Sequence, residues 1–153
     1  MSKFRNIFFL LFFSIPVFCQ KEANIWYFGE KAGLDFSSGV AVPLLDGQLN
    51  TLEGCATISD AYGNLLFYTD GITVYNRNHN IMPNGTNLMG NPSSTHSAII
   101  VPKPKSENIY YIFTVDTNNS NSNRPLAYSE VDMSLNSELG RVVTKNIILN
   151  NSV

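Results

Sequence analysis

The chain has 153 residues, enough for one domain at most, with ten Lys and Arg against twelve Asp and Glu and a net charge of −2. Charged residues make up 14%, well below the usual share, while 44% hydrophobic and 12% aromatic content is ample for a core, which excludes a wholly disordered chain. Without a cluster of basic residues there is no electrostatic footprint for nucleic acid. Uncharged groups supply the polarity instead: nineteen Asn and fifteen Ser favour turns over helix interiors, as in a turn-rich all-β protein.

Lys3 and Arg5 precede an apolar run from Ile7 to Phe18, broken only by Ser14 and Pro16. That pattern predicts a signal peptide over residues 1–19 and a mature domain over 20–153. The run is too short to span a bilayer, which takes about twenty residues, so no membrane span is expected after cleavage. Acylation of Cys19 as a lipoprotein is the alternative, disfavoured by bulky Phe18. Cleavage leaves eight bases against twelve acids, a net charge of −4, and Cys55 as the remaining cysteine. Its neighbours Gly54, Ala56, Thr57 and Ile58 suggest a packed strand thiol that is neither bridged nor reactive.

In chain order, short clusters rich in Ile, Val, Phe, Tyr and Thr predict strands at 24–28, 34–36, 40–44, 53–60, 64–69 and 72–76. The Asn-, Gly- and Pro-rich stretch 77–95 is expected to cross one end of a sheet without regular structure. Strands resume at 96–101, 109–116, 126–132 and 142–149, with a one-turn helix candidate at 134–139. The series 56–60, 65–70 and 73–76 recurs in pattern as 98–101, 109–116 and 127–132. A strand unit repeating at about 40–50 residues is the signature of a propeller blade. The expectation is therefore a partial β-propeller of about two antiparallel blades, with a β-sandwich as the alternative.

The strings NIWYFGEKAGLDFSSG (24–39), EGCATISDAYGNLLFYTDGITVYNRNHNIMPNG (53–85), SSTHSAIIVPKP (93–104), IYYIFTVD (109–116) and YSEVDM (128–133) carry a resemblance. Over roughly residues 23–149 the chain resembles the N-terminal region of large secreted Bacteroidetes proteins. Those proteins end in a gliding-motility-associated, type B sorting domain and leave the cell by the type IX secretion system. The resemblance implies the opening blades of a WD or quinoprotein-like propeller, and it supplies no catalytic residues. It also implies that a chain ending at Val153 is a fragment or a truncated frame, incomplete without the remaining blades of a parent chain.

Candidate chemistry is sparse. His79 and His96 are the two histidines, and neither falls in a metal-ligand spacing, so no metal, cofactor or catalytic residue is expected. Ser93, Ser94 and Thr95 before His96 lack the G-x-S-x-G elbow of a hydrolase nucleophile. Asp60, Asp70 and Asp116 sit at strand ends, where their first role is to cap turns; a rim or channel site for a cation or sugar hydroxyls is the functional alternative. The run from Asp116 to Asn123 loosely resembles a calcium loop but lacks its sixth-position Gly and twelfth-position acid. Asn84-Gly85 is read as a turn.

Aromatics at 26–28, 67–68, 110–111 and 113 split by alternation between core and surface, and those outside would suit a glycan. Asp70, Asp116, His96 and Tyr68 are the candidates for a ligand surface. The functional expectation is an exported surface or secreted binding and adhesion segment whose partners are an extracellular glycan or a surface protein. The alternatives are a propeller-type lyase or hydrolase acting on extracellular polysaccharide, and a structural display spacer.

Overall fold

A computed structural model describes residues 21–116 and 126–149. The described residues form three antiparallel sheets and no helix, so none is long and apolar enough to cross a membrane. The first sheet joins β1 (Ile25–Phe28), β2 (Ala32–Asp35) and β3 (Val42–Leu44) in that order. The second joins β4 (Ala56–Ser59), β5 (Leu65–Thr69) and β6 (Val74–Asn76), and the third β7 (Ala98–Pro102), β8 (Ile109–Thr114), β9 (Ala127–Asp132) and β10 (Arg141–Ile148). Each sheet is a meander of sequence neighbours, and β4 lies beside both β1 and β7, the first strands of the flanking sheets.

The recurring pattern seen in sequence is matched in register: Ala56 pairs with Thr69 in the second sheet as Ala98 pairs with Thr114 in the third. The sheet count differs from the two units expected, because residues 25–44 close a sheet of their own. None of the three sheets closes on itself, and three layers replace the two of a sandwich.

Strand alternation explains how the layers hold together. Phe67 and Tyr68 are adjacent on β5 and fully buried, so they must leave opposite faces of the second sheet. Phe67, Ile58 and Val74 join Ala98, Ile112, Val131 and Val142 of the third sheet in the larger core. Tyr68 and Leu65 join Tyr27 and Leu49 in the smaller one, with Ile25, Leu44 and Tyr75 against them. A hydroxyl reinforces the first junction: Thr57 Oγ1 accepts the Tyr27 N–H at 2.9 Å and donates to the Tyr27 carbonyl at 3.2 Å. At the second, Ser97 Oγ donates to the Asp70 carbonyl at 2.6 Å and accepts the Asn91 N–H at 3.0 Å.

Acidic side chains shape the turns. Asp60 Oδ1 accepts the N–H groups of Tyr62 and Asn64, and Asp70 Oδ1 those of Ile72 and Thr73. Gly63 and Gly71 follow at φ 95° and 86°, a region that only glycine enters without cost. At 134–139 the expected helical turn is absent. Asn136, Ser137 and Glu138 have φ of 54°, 54° and 62°, a left-handed turn closed by the Gly140 N–H on the Leu135 carbonyl at 3.1 Å. L-residues adopt that hand at a cost of about 1–2 kcal/mol each.

The stretch 77–95 crosses the sheets as expected, yet it is firmly held. Met82 and Leu88 are buried in the larger core. Asn84 Nδ2 donates to the Val142 carbonyl, and Asn146, at the irregular register of β10, accepts the Met89 N–H and donates to the Asn87 carbonyl. Lys145 Nζ donates to the Thr86 carbonyl at 3.0 Å.

The face of the third sheet turned away from the core is apolar. Ile99 and Val101 of β7, Tyr111 and Phe113 of β8, Tyr128 of β9 and Ile147 of β10 lie in register across it. Ile99 is 53% and Ile147 42% exposed, and the Tyr111 and Tyr128 rings meet edge to face at 5.6 Å. Lys103 spans one end, with Nζ 3.1 Å from Glu130 and 5.5 Å from the Tyr111 ring centre.

Two substitutions probe this arrangement. Phe67→Ala should cost about 3–5 kcal/mol in urea unfolding, as expected where an aromatic ring leaves a sealed core. Asn146→Gly keeps the φ of 59° free of strain while deleting the side-chain bonds to the 77–95 stretch, and should cost about 1–3 kcal/mol in the same measurement.

Candidate functional site

The four residues singled out as a ligand surface do not gather at one place. Tyr68 is fully buried, which corrects its placement on a surface: its ring lies between Tyr27 and Tyr75, with centroids at 4.6 and 5.4 Å. Asp70 spends its Oδ1 on the turn it caps. Asp116 accepts the Asn91 side-chain amide at 2.6 Å and so fastens the end of the 77–95 crossing. His96 is exposed in the turn before β7, two residues short of the strand expected to contain it. The calcium-like run beyond Asp116 and the segment expected to be a signal peptide lie outside the described residues. Cys55 is half-buried directly before β4, and burial pushes its thiol up, away from the reactive thiolate.

A polar network missed in the sequence joins the first two sheets. Tyr68 Oη accepts the Gln48 N–H at 3.2 Å and lies 3.0 Å from His79 Nδ1. His79 Nε2 lies 3.3 Å from Asp46 Oδ2, and Asp46 Oδ1 accepts the Tyr27 hydroxyl at 2.7 Å. Nε2 thus faces the carboxylate as its donor, and Nδ1 meets the Tyr68 hydroxyl. The circuit closes through the stacked rings of Tyr27 and Tyr68.

The bond from Tyr27 is the largest influence holding the Asp46 carboxyl below its usual range. Burial, with Asp46 beside it, drives the Tyr27 phenol well up, and burial pushes Tyr68 up to about 12. A sealed, protonated Tyr68 offers no nucleophile, so this network ties the 45–50 loop to the second sheet. His79 carried no usable signal because Asp46 is remote in sequence and a lone Asp-Gly pair reads only as a turn.

The second feature is a cleft of about 340 Å³ at one end of the second and third sheets. Asp60 from the β4–β5 turn, Arg77 after β6, Glu107 and Tyr110 at the start of β8, and Glu138 from the left-handed turn line it. Leu66 and Met133 add apolar surface. Asp60 is committed to its turn and to the Asn64 side chain. Arg77 is half-buried, and neither it nor Glu107 nor Glu138 has a side-chain hydrogen bond or ion pair among the described residues. Burial, with Asp60 and Glu22 nearby, raises the Tyr110 phenol and keeps it protonated. No group of three or more His, Cys, Asp or Glu among the described residues is placed to hold a metal ion.

Comparison with protein-family models, curated proteins and solved structures returns no match.

The Tyr27–Asp46 bond has a pH signature. A carboxyl lowered from 3.8 in the fold contributes stability above that value, and the contribution is lost as pH falls below 3.8 through the lowered folded value. Tyr27→Phe should therefore cost about 1 kcal/mol near neutral pH. The gap from wild type should narrow below 3.8, read as urea midpoints across the acid range.

Proposed function

We propose that the chain is the N-terminal part of a β-propeller-type protein exported to the cell surface or medium, where it binds or adheres rather than catalyses. The observation that carries the propeller reading is the succession of meander sheets whose first strands, β1, β4 and β7, lie side by side. Blades arranged about an axis have that relation, each burying one face on the next. The outer face of the third sheet supports a further blade beyond it: Ile99, Tyr111, Phe113 and Tyr128 present the kind of apolar surface that the two inner junctions bury. Export rests on the basic start and apolar run of residues 1–19, and the type IX association on the resemblance described for residues 23–149. Binding is favoured over chemistry because Tyr68, which His79 and Asp46 tie into place, is wholly buried and its phenol is kept protonated by that burial.

Fractionation of the native cells tests this reading, using an antibody raised against the 17.0 kDa chain. The product is expected in the surface or secreted fraction, and confinement to the cytoplasm would sink the export reading. A glycan array probed with the exported product then separates a binding protein from a display spacer, which should retain nothing.

A further inference from the structure

We infer that the cleft between the second and third sheets is a saccharide subsite, with Arg77, Glu107 and Glu138 as the polar contacts and Tyr110, Leu66 and Met133 as the apolar floor. The inference deepens the binding reading above and rests on it for its biological role, but the chemistry of the cleft stands on its own residues.

Opposite charges that share a small concavity ordinarily pair. Here Arg77, half-buried as a residue, and the carboxylates of Glu107 and Glu138 make no ion pair or hydrogen bond with any described residue. The cleft therefore presents a planar fork of donors and carboxylate acceptors, all with hydrogen-bonding capacity left over. An anion would meet Asp60, Glu107 and Glu138, and a cation would meet Arg77. A neutral ligand that donates and accepts at closely spaced points satisfies both signs at once. Vicinal hydroxyls do this, since each can donate to a carboxylate and accept from a guanidinium.

The rest of the lining fits the same ligand. A pyranose carries an apolar C–H face besides its hydroxyl rim, and the Tyr110 ring with Leu66 and Met133 offers the matching surface. The size, about 340 Å³, lies near the lower end of small-ligand pockets and suits one or two sugar units. Glu138 ends three successive left-handed residues, which set the direction in which its Cβ leaves the backbone at the cleft.

The test is nitrogen-15 NMR of the full chain, following Arg77 Nε–H with the Asn108 side-chain amide and the Ser134 backbone amide, which also line the cleft. The probes are the methyl glycosides of glucose, galactose, mannose and N-acetylglucosamine, with inorganic phosphate, putrescine and L-alanine as comparison ligands. At least one glycoside is expected to shift these signals saturably, with a Kd on the order of 1 mM. Arg77→Gln and Glu107→Gln should each weaken it about tenfold. Both side chains lie outside the buried clusters, so the thermal midpoint should hold. Saturable shifts with phosphate, putrescine or alanine in place of the glycosides would overturn the inference, as would no shift with any probe. Sugar binding by a chain retained in the cytoplasm would defeat the export reading alone, whereas an exported chain whose cleft ignores every glycoside would defeat this inference alone.

Discussion

The second sheet is buried on both sides, and the other features of the molecule follow from that constraint. Phe67 and Tyr68 are consecutive, wholly enclosed and directed at different neighbours. A strand with only one covered face would leave one of these rings in water, at a cost of about 1.5–3 kcal/mol for a large apolar side chain. Slipping β5 by one residue against its partners would exchange the two faces and send each ring to the wrong core. The first and third sheets are therefore both needed before the middle one is stable.

Side-chain polar groups join the sheets where ladder hydrogen bonds cannot reach. Thr57 grips the Tyr27 backbone, Ser97 the Asp70 carbonyl, and Asn146 the crossing at Met89 and Asn87. This gives the abundance of Asn and Ser a mechanism: short amides and hydroxyls satisfy backbone groups at bends that would otherwise lie unpaired. The Asp46–His79–Tyr68 chain does the same work at larger scale, closing the 45–50 loop over the smaller core.

Local pattern was legible in the sequence, and long-range assembly was not. Alternating clusters revealed the strands, the pattern shared by 56–76 and 98–132 turned out to carry equivalent registers, and Asp60 and Asp70 cap turns as their positions suggested. The separate first sheet was harder to see, because β2 and β3 are short and carry Gly33 and Pro43, which weaken a strand signal. The aromatic pair at 67–68 showed that one ring must face each way, without showing that both sides would be covered. The left-handed turn at 136–138 has no glycine to announce it. The cleft draws on the β4–β5 turn, β5, the segment after β6, the start of β8 and the turn after β9, so no single motif could reveal it.

The anchoring of the 77–95 crossing bears on the order in which the chain can fold. Its fastenings at Asn84, Thr86, Asn87 and Met89 are made by residues 57 to 59 positions later, in β10. Closing loops of that length is entropically slow compared with zipping a hairpin. During synthesis the earlier strands can pair locally, but the crossing is secured only after the last described strand has emerged. Completion of the larger core thus waits for β10, and loss of β10 should release the crossing together with Met82 and Leu88, core residues that it carries.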